Sequence, residues 1–411
     1  MKIYKFGGAS VKDADGIKNI SKILKSDNTQ DIVIVISAMG KTTNMLESVV
    51  NDYTSAQTVS LDEVKSYHFE ILDQLFEKSH SIYDTVSNLF VEIEWAIEDS
   101  PTSTYGFEYD QIVSVGELLS TSIISAYLNQ EGVVNNWLDA RDLIRTDNTH
   151  RNARIDWKET LYNIEQNINT NGRFLTQGFI GCTSENFSTT LGREGSDFSA
   201  AIFAYALNAE EVVIWKDVEG VLNADPRFFE DAKLLNQLSF SEAIELAYYG
   251  AKVIHPKTIQ PLKEKKIPLR VKSFLSPQQA GTTISENVEM IPFLPSFILK
   301  QNQILLNISA TDLSFIVEDH LSFIFSVFSK IGVAINMMQN SAISFSVCVD
   351  NDIQKVPGLI KILNEHFKVV SQESLSLCTI RHYNKEDIKK VIGSKTVVLE
   401  QKTKQTIQVI Y

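Results

Sequence analysis

Five consecutive β-branched aliphatic residues, Ile32-Val33-Ile34-Val35-Ile36, stand between Asp31 and Ser37. Such a run has no polar face. It reads as a strand covered on both sides, as in a parallel sheet between two helical layers. An apolar strand at 1–6 and a helix running to about Lys25 complete a βαβ unit. The first strand ends in Lys5-Phe6-Gly7-Gly8-Ala9-Ser10. Two glycines at a strand-to-helix turn let the backbone approach a ligand, and free N–H groups at a helix start favour an anion. Lys5 adds positive charge beside them. Taken alone, a tight βα turn with Lys5 on the surface explains the stretch more simply. The small-residue loop Ser37 to Asn44 follows the second strand, where open α/β sheets bind ligands.

A chain of 411 residues is too long for one typical domain. Its net charge of −13 argues against a nucleic-acid partner, which wants a basic face, but not against ATP. Cys182, Cys348 and Cys378 are too far apart to form a CxxC pair, so neither a zinc site nor a disulfide framework is expected. No basic-then-apolar leader and no apolar run of about 18 residues is present. A cytoplasmic protein with no membrane partner is the expectation.

Residues 58–99 carry apolar positions at helical spacing. His68 and His80 are expected on that region's surface. A helix over 108–129 holds Glu117 among small and apolar neighbours. From this window an inward carboxylate needing a cation and an exposed, helix-supporting Glu stand level. Strands follow at 133–138 and 173–181. In Gly192-Arg193-Glu194-Gly195-Ser196-Asp197, two glycines flank a charged pair at the start of an apolar helix, 198–207. Capping by Ser196 or Asp197 explains part of this. It leaves Arg193 and the glycines unexplained, which favours a ligand site. Strand 212–215 leads into a polar loop, Lys216 to Arg227, suited to a nucleotide's base and ribose. Residues 303–371 show a βαββαβ pattern, and the chain then begins it again over 375–410 without the last helix and strand.

These stretches, in this order, resemble aspartokinase, a family of the amino-acid kinase superfamily. The resemblance rests on 5–11, 115–118, 176–181, 189–197, 216–227 and Gly250-Ala251-Lys252-Val253-Ile254-His255-Pro256. It implies an α/β catalytic domain over 1–285, a three-layer αβα sandwich around a mostly parallel sheet. A linker over 286–302 would follow, then α+β ACT-like (βαββαβ, ferredoxin-like) regulatory units at 303–374 and, truncated, 375–411. The second unit would borrow strand 303–309 to complete its sheet. ACT units commonly pair edge to edge, so a homodimer or larger homo-oligomer is implied.

The implied reaction moves the γ-phosphoryl of ATP, with Mg²⁺, to the side-chain carboxylate of L-aspartate, beginning lysine, methionine and threonine synthesis. By residue-by-residue match, Lys5 and Asp197 are catalytic, Asp197 organising cations rather than acting as a base. Thr43, Glu117, Phe179 (through its backbone), Arg193 and Ser196 bind aspartate. Lys5, Gly7, Gly8, Ser10, Lys216, Asp217, Leu222, Arg227, Lys252 and Val253 line the nucleotide. Pairing Glu117 with Arg193 separates an unmodified amino acid from the substrates of related glutamate, N-acetylglutamate and UMP kinases. Retention of Lys5, Glu117, Arg193, Asp197 and Lys252 speaks against an idle amino-acid sensor.

Three positions depart from the family pattern. Ala9 replaces a usual Thr and loses a hydroxyl. Glu194 stands where Gly is common, and its carboxylate is expected to face solvent, since another anion near phosphates is costly. Lys216 replaces a frequent Thr and adds a phosphate or ribose contact. In the regulatory half, acids that could hold the amines of a lysine effector are matched by Asn336 and Ala342, and Asp319-His320-Leu321 replaces a Gly-Phe-Leu. An ordinary lysine site is therefore not expected; threonine, another effector or none remain open.

Overall fold

The structure is a computed structural model that describes every residue except Asn28, Thr102, 169–171, Lys252, Val253 and Leu313. It divides into two units. The first comprises Met1–Val221, Leu234–Ile244 and the stretch ending at Pro292; the second comprises Leu222–Lys233, the stretch beginning at Glu245, and Phe293–Tyr411.

The strands of the first unit are β1 (Lys2–Phe6), β2 (Ile32–Ile36), β3 (Asn136–Leu138), β4 (Arg173–Gln177), β5 (Ile180–Cys182), β6 (Ser188–Thr190), β7 (Glu211–Lys216), β8 (Gln237–Ser239), β9 (Leu269–Ser273) and β10 (Thr282–Ser285). Its helices include α1 (Ala14–Asp27), α2 (Thr42–Thr54), α3 (Asp62–Leu75), α4 (Ile82–Ala96), α5 (Tyr105–Gln130), α6 (Ala140–Leu143), α7 (Trp157–Asn167) and α8 (Gly195–Leu207), with a further helix at Pro256–Glu264. Eight strands form one sheet in the order β3-β4-β2-β1-β7-β9-β10-β8. Pairing is parallel from β3 through β9, and the β9–β10 pair is antiparallel.

All five residues of β2 are buried, as a run without a polar face requires. Tyr4, Phe6, Ile32, Ile34 and Ile36 enter one core with α1 to α5. The alternate residues, Ile3, Val33 and Val35, are equally buried and face the other way, where α8 packs. Truncating one such residue, Ile34→Ala for example, costs about 2–5 kcal/mol.

Helix α5 is long and apolar enough to cross a membrane, but 83% of its apolar window is buried inside the protein. His68 is not on the surface. Its Nδ1 lies 2.8 Å from the carbonyl of Val64 and its Nε2 3.4 Å from Thr42 Oγ1. Burial pushes it down to about 4, so the ring is neutral and structural. The pattern could not reveal this, because a histidine with two local partners is as acceptable to a core as to a surface.

In the second unit the strands are β11 (Ser296–Ala310), β12 (Ile335–Asn340), β13 (Ser344–Asp350), β14 (Phe367–Arg381), β15 (Leu399–Lys402) and β16 (Thr406–Ile410). They form one six-stranded sheet ordered β12-β13-β11-β14-β16-β15. Two stretches differ from the sequence reading. The expected linker 286–302 contains the beginning of β11, and the two strands expected at 367–371 and 375–382 are one strand, β14. Residues 303–310 of β11 pair with the first half of β14, whereas 296–300 pair with 377–381. The second ACT-like half is thus completed by 296–300, not by 303–309. The register shifts around Gln303, where the strand passes from one half to the other. Phe297, Cys378, Ile380, Ile407 and Val409 form the core of the second half with Ala224, and Phe229 stacks on Phe297 at 5.1 Å.

Candidate active site

Parallel strands share one carboxyl edge, and this edge gathers the charged motifs. Lys5 in β1 pairs with Val35 of β2 on one side and Ile214 of β7 on the other. Beyond β1 the chain makes one 3₁₀ turn, Gly8–Val11, and α1 starts only at Ala14. The helix therefore does not open directly on the glycines, and N–H groups available to an anion belong to this turn. Ser10 is buried, and its N–H already donates to the Gly7 carbonyl at 2.9 Å. The Gly40 N–H donates to the Gly8 carbonyl at 3.0 Å, tying the turn to the loop after β2. A Cβ on Gly8 would lie 2.8 Å from the Ala38 carbonyl oxygen, and one on Gly7 would lie 3.2 Å from Lys5 Nζ. Glycine is needed here for close approach.

The edge opens into a cavity of about 520 Å³ that Lys5, Gly8, Thr43, Glu117, Phe179, Arg193, Ser196, Asp197 and Lys216 all line. Lys5 Nζ lies 2.7 Å from Asp197 Oδ1, and Lys216 Nζ lies 3.5 Å from Asp197 Oδ2. Burial by itself would raise the Asp197 carboxyl, but the two ammonium groups outweigh it and hold the group below its ordinary value. Asp197 is thus an ionised anchor for two cations. Lys216 contributes here by pairing with Asp197, a role its place in a polar loop did not disclose.

Glu117 arrives from α5. Gly116 beside it lets α5 approach α2, since a Cβ there would sit 3.0 Å from Leu46 Cδ1 and Thr42 Cγ2. The Glu117 side chain is buried, and its Oε2 has no hydrogen-bond partner among the described residues. Burial pushes its carboxyl up to about 8, against the Ala38 N–H and Lys5, which both favour the charged form. Of the two readings of Glu117, the inward one holds. Arg193 is exposed on the rim and makes no hydrogen bond or ion pair among the described residues, which leaves its planar fork available. Ser196 presses against Gly178, where a Cβ would lie 2.5 Å from Ser196 Cβ. Phe179 has φ 75; its N–H donates to Ser199 Oγ at 2.9 Å and its carbonyl accepts from the Leu191 N–H at 2.8 Å. Its N–H is therefore engaged within the fold, and the carbonyl keeps one lone pair.

An amino acid kinase family model matches residues 1–273. The lysine-sensitive aspartokinase 3 of Escherichia coli K12 is 30% identical over 390 residues, which cover 92% of this chain and 86% of the relative. The chain belongs to the aspartokinase family. Chloroplastic aspartokinase 2 of Arabidopsis thaliana is 30% identical over 425 residues, covering 97% of this chain and 76% of the relative. The crystal structure of E. coli aspartokinase III in complex with aspartate and ADP superposes with a TM-score of 0.82 at 27% identity, over 100% of this chain and 96% of that one.

Other positions matched to the aspartokinase pattern fall elsewhere. Asp217 is exposed in the loop after β7 and is not part of the cavity lining. Leu222 and Arg227 belong to the second unit, where the Arg227 guanidinium is paired with Asp225. Lys252 and Val253 lie outside the described residues. Glu194 is half-buried rather than turned wholly to solvent: it lines the cavity, and its Oε2 is buried. The sequence reading missed Glu47, Tyr109 and Arg151, which also line it. Arg151 pairs with Glu47 at 2.9 Å and lies 4.3 Å over the Tyr109 ring. Glu47 stands one helical turn beyond Thr43 and Tyr109 two turns before Glu117, so helical periodicity held a signal for both. Nothing in the sequence marked Arg151.

Proposed function

We propose that this chain transfers the γ-phosphoryl group of ATP to the side-chain carboxylate of L-aspartate, giving 4-phospho-L-aspartate, the first step toward lysine, methionine and threonine. The observation that carries this reading is the Lys5–Asp197–Lys216 cluster in one cavity with a buried carboxylate, Glu117, whose Oε2 has no hydrogen-bond partner among the described residues.

The acceptor carboxylate is already ionised at neutral pH and needs no general base. The obstacle is repulsion between an anion and a triphosphate. Lys5 and Lys216, aligned by Asp197, present fixed positive charge to the transferring group, and the 3₁₀ turn at Gly8 presents backbone to the phosphates. Their preorganisation means that little need move as charge develops. Mg²⁺ belongs to this proposal as the nucleotide's counter-ion, supplying positive charge on the phosphate oxygens when bound. Asp197 is engaged by two lysines, so this reading leaves the ion to the phosphate oxygens rather than to that carboxylate.

At the acceptor end Glu117 takes the α-ammonium of aspartate and Arg193 its α-carboxylate, with Thr43 and Ser196 beside them. Gly7, Ser10, Asp217, Leu222, Arg227, Lys252 and Val253 stay assigned to the nucleotide by resemblance alone. Cytoplasmic action and an amino-acid effector on the second unit complete the reading. The test is ATP-dependent acyl phosphate formation, trapped with hydroxylamine. Hydroxamate from L-aspartate but not from L-glutamate is expected. A folded, ATP-binding protein that yields none from aspartate overturns it.

A further inference from the structure

We propose that Glu194 is a specificity-determining residue of this chain, its carboxylate taking the α-ammonium of the amino-acid substrate alongside Glu117. The inference rests on the kinase reading above and adds a residue to it. Two features of Glu194 point to a ligand. Its backbone sits at φ 53, the left-handed region, directly before α8. Its Oε2 is buried at the cavity without a hydrogen-bond partner among the described residues. Each feature costs stability, and a glycine would remove both. Strained backbone and unsatisfied charge persist together mainly where a bound group compensates them.

The chemistry of the missing group follows from the neighbours. Arg193, adjacent in sequence, is the candidate for the α-carboxylate. In an amino acid the ammonium is bonded to the same carbon, so its acceptors must stand next to that guanidinium. An ammonium has three N–H donors, more than Glu117 Oε2 satisfies. Among the described residues, Arg193 is adjacent in sequence and His255 interacts electrostatically with Glu194, and neither hydrogen-bonds its Oε2. His255 Nδ1 instead accepts from the Lys257 N–H at 3.2 Å, capping the helix Pro256–Glu264. The phosphate side of the cavity is set by Lys5 and Lys216, which makes the substrate's ammonium, rather than a phosphate-bound cation, the occupant.

The test compares E194Q and E194G with the wild type by the hydroxamate assay, with calorimetry of aspartate binding without nucleotide and thermal melting. Both variants are expected to raise the aspartate KM about ten- to a hundredfold, the scale for a hydrogen bond to a charged group. The KM for ATP and the Mg²⁺ requirement should stay within about twofold. The preference for aspartate over succinate, which lacks the ammonium, should narrow. E194G should melt above the wild type. An aspartate KM within about twofold of wild type in both variants, or a change that falls on ATP or Mg²⁺ instead, overturns the assignment. A wild type that forms no hydroxamate from aspartate overturns the kinase reading itself; an active wild type beside unchanged variants overturns only the role of Glu194.

Discussion

Lys5 and Asp197 form an ion pair of 2.7 Å with side chains only 10% and 4% exposed, linking the end of the first strand to the first turn of α8. A buried pair of this kind is weak evidence for stability, because desolvation offsets much of the attraction. Its value lies in fixing an ammonium where negative charge builds up. Lys5→Ala is expected to lower kcat about a hundredfold or more, the scale for one electrostatic stabiliser. Circular dichroism should show a folded variant, since Lys216 still faces Asp197 at 3.5 Å. A loss of less than about threefold removes Lys5 from the chemistry.

Glu117 couples function to pH. Its carboxyl is raised from 4.5 to about 8, chiefly by burial. The native protein therefore holds this proton more tightly than the unfolded chain does. The stability it contributes is complete below 4.5 and is lost as pH rises through 8. Glu117→Gln cannot ionise, so it should melt above the wild type at about pH 9, the gap closing toward about pH 5. The same variant should raise the aspartate KM. Binding of the substrate's ammonium should also expel the Glu117 proton. Calorimetry of the wild type near pH 7, in buffers of different ionisation enthalpy, should show close to one proton released. No release, and a melting difference independent of pH, would remove Glu117 from the ammonium site.

Arg193 should behave in the opposite way. It is exposed and unpartnered among the described residues, so Arg193→Lys should leave stability within about 0.5 kcal/mol. An ammonium cannot make the bidentate contact of a guanidinium, so the aspartate KM should rise while the ATP KM holds. An unchanged aspartate KM contradicts the assignment.

The fold was legible where the pattern left one physical solution. The polar-free run 32–36 required a doubly covered strand, and β2 is one. The second unit was legible in its elements but not in their extent. Nothing in 296–302 distinguishes a linker from a strand until its partner, 377–381, is seen across the sheet. At the site, the glycines after the first strand and the charged pair between glycines at a helix start pointed to a ligand site, and the resemblance supplied the roles of Lys5, Gly8, Arg193 and Asp197. Glu194 misled, because the cost of an anion near phosphates says nothing about where an αL backbone aims its side chain. Arg151 was invisible because a guanidinium placed by a loop has no periodicity.

The last prediction concerns lysine. Its ε-ammonium would need anionic acceptors on the second unit, where the matched positions are Asn336 and Ala342. Asn336 is already committed: its Oδ1 accepts from Lys300 Nζ at 2.7 Å, and its Nδ2 donates to Gln303 Oε1 at 2.8 Å and Asp350 Oδ1 at 3.0 Å. A bound lysine would have to displace the chain's own ammonium from a neutral amide, exchanging one cation for another with no gain in charge pairing. L-Lysine at about 1 mM, a dose that would saturate a site of ordinary micromolar affinity, should therefore leave activity and melting temperature unchanged. Half-inhibition below that concentration would show that acceptors other than Asn336 hold the amine. Threonine, in parallel assays, tests an effector whose hydroxyl makes no demand for an anionic partner.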